Sequence, residues 1–242
     1  MTVLYLDSAD RAALAPLLAT GLFAGVTTNP LLLQRAGLGQ ADLPALHDWA
    51  IAAGAGTVFA QTLAEDPDGI VVEGLRLREL SDRVVVKVPA TRAGLTATRR
   101  LADRQVPVLV TAVYHAAQAV LAGAAGARFI APYLGRMSAA GRDGPAQIRT
   151  MHQILAGSGT QTLVASIKSV DDLVRLAAAG VPSFTVGPAL ADELLHDELT
   201  DGAVRKFLAA AARGGAGLSR PDTGSGLGRA GPDGLNFAPG AI

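Results

Sequence analysis

The 242-residue chain contains no cysteine, which excludes a disulfide framework, a thiolate metal site and a cysteine nucleophile. Its four histidines, His47, His115, His152 and His196, are scattered over helical stretches, which speaks against a histidine-built metal site. Charge is also scarce: 17% of residues, with 21 basic residues balanced by 21 acidic ones. A neutral chain lacks the clustered positive charge that a nucleic-acid or anionic-membrane surface needs. No apolar run approaches the roughly 20 residues of a membrane-spanning helix. The first ten residues carry acids and no basic-then-apolar signal region. These absences leave a soluble, cytoplasmic protein with no nucleic-acid or membrane partner.

Half of the residues are hydrophobic, and the length suits one large domain with a real core. Composition shifts near Arg213. From there to Ile242 the chain holds nine of its 28 glycines and three of its 13 prolines, and apolar periodicity stops. Such a stretch buries too little surface to offset its conformational entropy, so residues 1–212 are expected to fold and 213–242 to form a flexible tail. A dinucleotide-like pattern, Gly226-Leu-Gly-Arg-Ala-Gly231, lies in that tail, follows no strand and opens no helix, and is read as chance.

Within 1–212, short apolar runs recur: Val3–Leu6, Ala24–Val26, Thr57–Ala60, Val84–Val88, Pro107–Val110, Arg128–Ala131, Leu163–Ala165 and Ser183–Val186. Their brevity and continuity fit strands covered on both faces. Stretches with helical spacing separate them. Leu95, Thr98, Leu101 and Ala102 share one face. Ile148, Met151 and Leu155 share another, with Pro145 in the first turn and Gly157 as stop. Ser169 heads a capping-box-like start and Gly180 is a C-cap, whereas Pro16 lies deep enough to kink or shorten the first helix. Eight strand–helix units in about 200 residues are the count that closes a (β/α)8 TIM barrel, with an open doubly wound sheet as the alternative.

Polar residues collect at the strand ends. Asp7, Thr27 and Thr28 with Asn29, Gln61, Lys87, Thr111, Tyr133 with Arg136, and Ser166 close seven of the eight runs. In a parallel barrel those ends meet at one mouth, where barrel enzymes place their chemistry. Lys87 is the sharpest signal. Side chains alternate along a strand, so Val84, Val86 and Val88 share one face and Val85 and Lys87 the other. With the valines against the helices, Lys87 points inward. Burial lowers an amine's pKa, and a neutral amine can form a Schiff base. The competing reading is a structural ion pair with Asp7. Asp7 is otherwise an acid, a base or a proton relay. Asn29 either binds substrate hydroxyls or caps a helix. Arg136 and Ser166 can hold a phosphate, and Lys168 is read as an exposed residue near that end.

These stretches resemble the small transaldolase family, and within it the fructose-6-phosphate aldolase branch. The likeness rests on Leu4-Tyr-Leu-Asp7, Gly25-Val-Thr-Thr-Asn-Pro30, Phe59-Ala-Gln61, Val84-Val-Val-Lys-Val-Pro89, Gly94-Leu95, Thr111-Ala-Val-Tyr114, Ala117-Gln118, Ala131-Pro-Tyr133 with Arg136, and Ala165-Ser166 with Lys168. The resemblance implies a (β/α)8 barrel and class I aldolase chemistry without metal or organic cofactor. It makes Lys87 the Schiff-base lysine and Asp7 a proton carrier. Gln61, Thr111 and Tyr133 would hold and polarise a catalytic water, Thr28 and Asn29 would contact the ketose, and Arg136 and Ser166 would bind the phosphate. It further implies sugar-phosphate and dihydroxyacetone-like substrates and a homopentamer or homodecamer, with Val204, Phe207, Leu208 and Ala211 as an apolar stripe reaching a neighbour.

Two positions separate the branches. Transaldolases of this family usually carry Glu in place of Gln61 and Phe in place of Tyr133. A phenol can protonate an enamine and a Phe ring cannot. The sequence reading therefore favours the aldolase, which cleaves or forms fructose 6-phosphate from dihydroxyacetone and glyceraldehyde 3-phosphate. The alternatives are a transaldolase and a non-catalytic sugar-phosphate-binding barrel.

Overall fold

The computed structural model describes residues 2–214. Eight parallel strands close into a barrel in chain order, β1 pairing with β8. They are β1 (Val3–Asp7), β2 (Phe23–Thr27), β3 (Thr57–Gln61), β4 (Val84–Pro89), β5 (Val108–Val113), β6 (Phe129–Pro132), β7 (Gln161–Val164) and β8 (Ser183–Val186). The expected barrel is thus the observed one, and the open sheet is not.

Helices alternate with the strands: α1 (Arg11–Leu18), α2 (Pro30–Arg35), α3 (Leu43–Ala52), α4 (Pro67–Glu79), α5 (Arg92–Ala102), α6 (Ala116–Ala124), α7 (Leu134–Ala139), α8 (Gly144–Ile154), α9 (Val170–Ala178) and α10 (Pro188–Leu195). A 3-10 turn, Gln40–Asp42, precedes α3. The barrel unit ends at Asp197. A second unit begins at Glu198 with α11 (Glu198–Gly214), on which Leu199, Phe207 and Leu208 are exposed. The first two residues of the expected tail, Arg213 and Gly214, lie in α11; the rest of it, with the glycine pattern at 226–231, falls outside the described residues. No helix among the described residues is long and apolar enough to cross a membrane.

The alternation in β4 works as the pattern of valines implies. Val86 and Val88 join the cluster that packs strands against helices, while Val85 joins a separate cluster inside the barrel. That inner cluster also holds Tyr5, Phe59, Leu109, Phe129 and Leu163. Its aromatic rings meet edge to face, Tyr5–Phe59 at 5.1 Å and Phe59–Phe129 at 5.6 Å between centroids. The barrel interior is therefore a dry plug up to the level of Val85.

Local signals hold at several ends. Ser169 Oγ accepts from the Asp172 amide, and Asp10 Oδ1 from Ala12 and Ala13. Pro145 sits in the first turn of α8, and Gly180 has φ +89 just past α9. Helix α1 runs through Pro16 and stops two residues later, at eight residues. The core face of α5 centres on Gly94, Ala97, Thr98 and Leu101, rotated from the face expected, so that Leu95 and Ala102 are only half-buried. Strand β5 continues past Thr111 through a left-handed residue, Ala112 (φ 57), at a register shift. Strand β7 starts two residues earlier than its apolar run, because Gln161 pairs with Phe129. At Gly25 the neighbouring strand approaches so closely that a Cβ would overlap the Thr57 carbonyl.

Candidate active site

Moving two residues along each strand from the dry plug, the same inward face turns polar. Tyr5 is followed by Asp7, Phe59 by Gln61, Val85 by Lys87 and Leu109 by Thr111. Above this layer opens a cavity of about 360 Å³, and Asp7, Asn29, Lys87, Tyr133, Arg136 and Ser166 are in its wall.

Lys87 is 4% exposed, and its Nζ donates to the carbonyl oxygen of Thr28 at 2.6 Å. Burial strips water from the ammonium and lowers the pKa from 10.5 to about 8; Asp7 pulls it back up and Arg136 pushes it further down. Asp7 and Lys87 share the cavity without an ion pair within 4.0 Å, so the structural-pair reading does not hold. Asp7 Oδ1 instead accepts from Thr27 Oγ1 at 2.7 Å, and Thr27 Oγ1 is also 2.7 Å from Thr185 Oγ1.

Tyr133 closes the site on the β6 side. Its hydroxyl is 2.8 Å from Thr111 Oγ1, and its ring packs edge to face on Tyr114 at 5.6 Å. Burial raises the phenol's pKa, so the group keeps its proton near neutral pH; the Thr111 contact opposes the rise. The Arg136 guanidinium lies over the Tyr133 ring, 4.7 Å from its centroid.

Backbone bonds bring Arg136 and Ser166 together. The Leu134 amide donates to Ala165 O at 3.0 Å and the Gly135 amide to Ser166 O at 2.8 Å, which ties the start of α7 to the end of β7. Ser166 adopts φ 59, a left-handed conformation that turns the chain at the mouth. Gly135 is required for this approach, since a Cβ would meet Ser166 O at 2.6 Å.

Three residues, Thr28, Gln61 and Thr111, sit differently from the simple expectation. Thr111 is buried outside the cavity wall and reaches the site through the Tyr133 hydroxyl. Thr28 is fully buried, and its Oγ1 donates to Phe59 O at 2.9 Å, so its side chain pins β3 and only its carbonyl reaches the site. The reason is alternation: Thr27 points inward and Thr28 therefore points away. Gln61 pairs in register with Lys87 but is not in the wall of the Lys87 cavity. It borders a neighbouring cavity with Gln40, whose Nε2 donates to Gln61 O at 3.0 Å. Asn29 Oδ1 caps α2, accepting from the Leu31 and Leu32 amides at 3.0 and 3.1 Å, and the residue also borders the cavity.

Four cavity residues were missed or undervalued. Thr27 and Thr185 follow the period-two rule and were legible. Lys168 is exposed, as expected, yet borders the cavity. Arg35 had no local signal at all, because only the placement of α2 brings it to the mouth.

A buried amine of lowered pKa, a carboxylate, a protonated phenol and a cationic rim meet in one cleft above an apolar floor. Across residues 4–219 the sequence matches the family model described as Transaldolase/Fructose-6-phosphate aldolase. The chain belongs to that family. A probable transaldolase of Hyphomonas neptunium is 38% identical over 217 residues, covering 87% of this chain and 97% of the relative. One from Caulobacter vibrioides is 35% identical over 207 residues, covering 85% and 94%. One from Rhodospirillum centenum is 38% identical over 208 residues, covering 85% and 89%. Among solved structures, a mandelate oxidase mutant with a monooxide FMN adduct superposes with a TM-score of 0.54 at 17% identity, over 78% of this chain and 65% of that one. That likeness shows the barrel fold alone.

Proposed function

We propose that this chain is a Schiff-base enzyme that transfers a dihydroxyacetone unit between sugar phosphates, the reaction of a transaldolase. The observation that carries this reading is Lys87, an amine buried on the cavity floor with its pKa lowered to about 8. The relatives, named as probable transaldolases, support the transferase over the aldolase favoured by the sequence alone.

In this mechanism the neutral amine of Lys87 attacks C2 of a ketose phosphate, and the carbinolamine loses water to give an iminium ion. Asp7 takes the proton of the C4 hydroxyl. The C3–C4 bond breaks, its electrons pass to the iminium nitrogen, and an aldose phosphate leaves. The resulting enamine then attacks the aldehyde carbon of a second aldose phosphate, whose oxygen receives the proton held by Asp7. Hydrolysis of the new iminium frees the product and regenerates the amine. The chemistry needs no metal, because the protonated imine is the electron sink. Arg136 and Ser166 hold the phosphate, Asn29 faces the ketose hydroxyls, and Tyr133 with its partner Thr111 helps order the water.

A second reading, the aldolase, is favoured by Tyr133. Its hydroxyl is buried, bonded to Thr111 and kept protonated. A phenol there can protonate the enamine and release dihydroxyacetone. Incubating the protein with fructose 6-phosphate, with and without erythrose 4-phosphate, separates the two. Formation of sedoheptulose 7-phosphate ahead of free dihydroxyacetone supports the transferase; release at the same rate without an acceptor supports the aldolase. Borohydride reduction in the presence of dihydroxyacetone should label Lys87, and no labelling would leave a non-catalytic sugar-phosphate barrel.

We further propose that copies of the chain assemble into a ring through α11, where Leu199 (84% exposed), Phe207 (69%) and Leu208 (66%) present apolar surface. Light scattering that finds a monomer would overturn it.

A further inference from the structure

The mouth of the cavity carries more positive charge than one phosphate grip requires. Arg136 and Lys168 lie on the side formed by β6, α7 and the end of β7. Arg35 enters the wall from α2, after β2. In the closed order β1 to β8, β2 and β6 are four strands apart in either direction, so Arg35 stands across the mouth from Arg136. Leu31 and Leu32, four and three residues before it on α2, border the same cavity, as expected for residues that share a helix face.

Arg35 is exposed, and among the described residues it takes part in no ion pair or hydrogen bond through its side chain. Asp7 is the one carboxylate in the wall, and it is occupied by Thr27. An unpaired guanidinium at a rim with low-dielectric walls focuses the field for an incoming anion. Arg35 in the last turn of α2 also suits the helix dipole. That local role does not depend on what enters the cavity, and so it separates cleanly from a role in substrate choice.

We propose that Arg35 is a specificity-determining residue, selecting phosphorylated over neutral aldehydes from the side of the mouth opposite Arg136. The inference rests on the Schiff-base reading above and adds a residue to it. The acceptor then approaches between two cationic walls, and its charge, rather than its carbon skeleton, sets the preference.

The test compares carbon–carbon bond formation with glyceraldehyde 3-phosphate and with neutral glyceraldehyde in the wild type, Arg35→Ala, Arg35→Lys and Arg35→Glu. Arg35→Ala should lower kcat/KM for the phosphorylated aldehyde by about 3–10-fold, through KM, and change that for glyceraldehyde by less than about twofold. Arg35→Lys should keep most of the selectivity, Arg35→Glu should lose more than the alanine variant, and the losses should shrink as ionic strength rises. Equal effects on the two aldehydes, or unchanged selectivity in Arg35→Ala, would overturn the proposal. Borohydride trapping with neutral dihydroxyacetone distinguishes the layers. An unlabelled wild type sinks the Schiff-base reading itself, whereas full labelling with unaltered selectivity sinks only the role of Arg35.

Discussion

Lys87 Nζ donates to the Thr28 carbonyl oxygen 2.6 Å away, and not to the carboxylate of Asp7. A carbonyl satisfies the amine by hydrogen bonding without offering it a full negative charge. Desolvation therefore outweighs the attraction of Asp7, and the pKa settles at about 8. The amine can lose its proton near neutral pH, which a tight ion pair would prevent.

Imine formation should follow that ionisation. The rate of borohydride-trappable adduct with dihydroxyacetone should climb between pH 6 and 8 and level off above about 8, where Lys87 is neutral. A profile still rising steeply at pH 10 would mean that the amine is not desolvated in solution.

Replacing Asp7 by Asn removes the charge that raises the Lys87 pKa. The midpoint of the same trapping profile should move to lower pH, while turnover of fructose 6-phosphate falls by about 10²-fold or more because the C4 proton has no acceptor. Stopped-time trapping and a coupled turnover assay read the two effects separately.

Lys87→Met should abolish turnover and stabilise the barrel. Below about pH 8 the folded chain holds a charged amine in a dry site, at a cost on the order of 3 kcal/mol from the lowering of 10.5 to about 8. Between pH 8 and 10.5 the unfolded chain binds more protons than the folded one, so wild-type stability rises with pH through that window. The advantage of the methionine variant in urea unfolding should therefore be largest at pH 7 and shrink towards pH 10.

Tyr133→Phe keeps the ring between Tyr114 and Arg136 and deletes the hydroxyl bonded to Thr111. Release of free dihydroxyacetone should fall by about 10²-fold, with transfer to erythrose 4-phosphate holding or rising. Equal losses in both products would deny Tyr133 a part in deciding the enamine's fate.

Gly25→Ala forces a methyl group into the Thr57 carbonyl across the β2–β3 ladder. The strands cannot separate without breaking the closed sheet. The variant should lose about 3 kcal/mol in denaturant unfolding; a midpoint equal to wild type would show that the barrel relaxes there.

Much of the site is legible in the sequence, because strand geometry is local. A period of two assigns Val85 and Lys87 to one face, and it carries Asp7, Gln61 and Thr111 inward on neighbouring strands by the same count. The same rule, applied without exception, would have picked Thr27 over Thr28 and added Thr185. Capping residues and the strand–helix alternation likewise belong to short stretches of chain, so Ser169, Pro145 and the count of eight strand–helix units needed no tertiary information.

Closure and loop placement decided the rest. Which group receives the Lys87 proton bond depends on a carbonyl 59 residues away in sequence. Gln61 lies in register with Lys87 yet borders another cavity, a distinction set by how Gln40 packs onto β3. Arg35 reaches the mouth only because α2 is laid there by a cap at Asn29. Residue types and alternation determine what each strand can offer the centre of a barrel. Which offers meet depends on contacts between segments far apart in the chain, and those exist only once the sheet has closed.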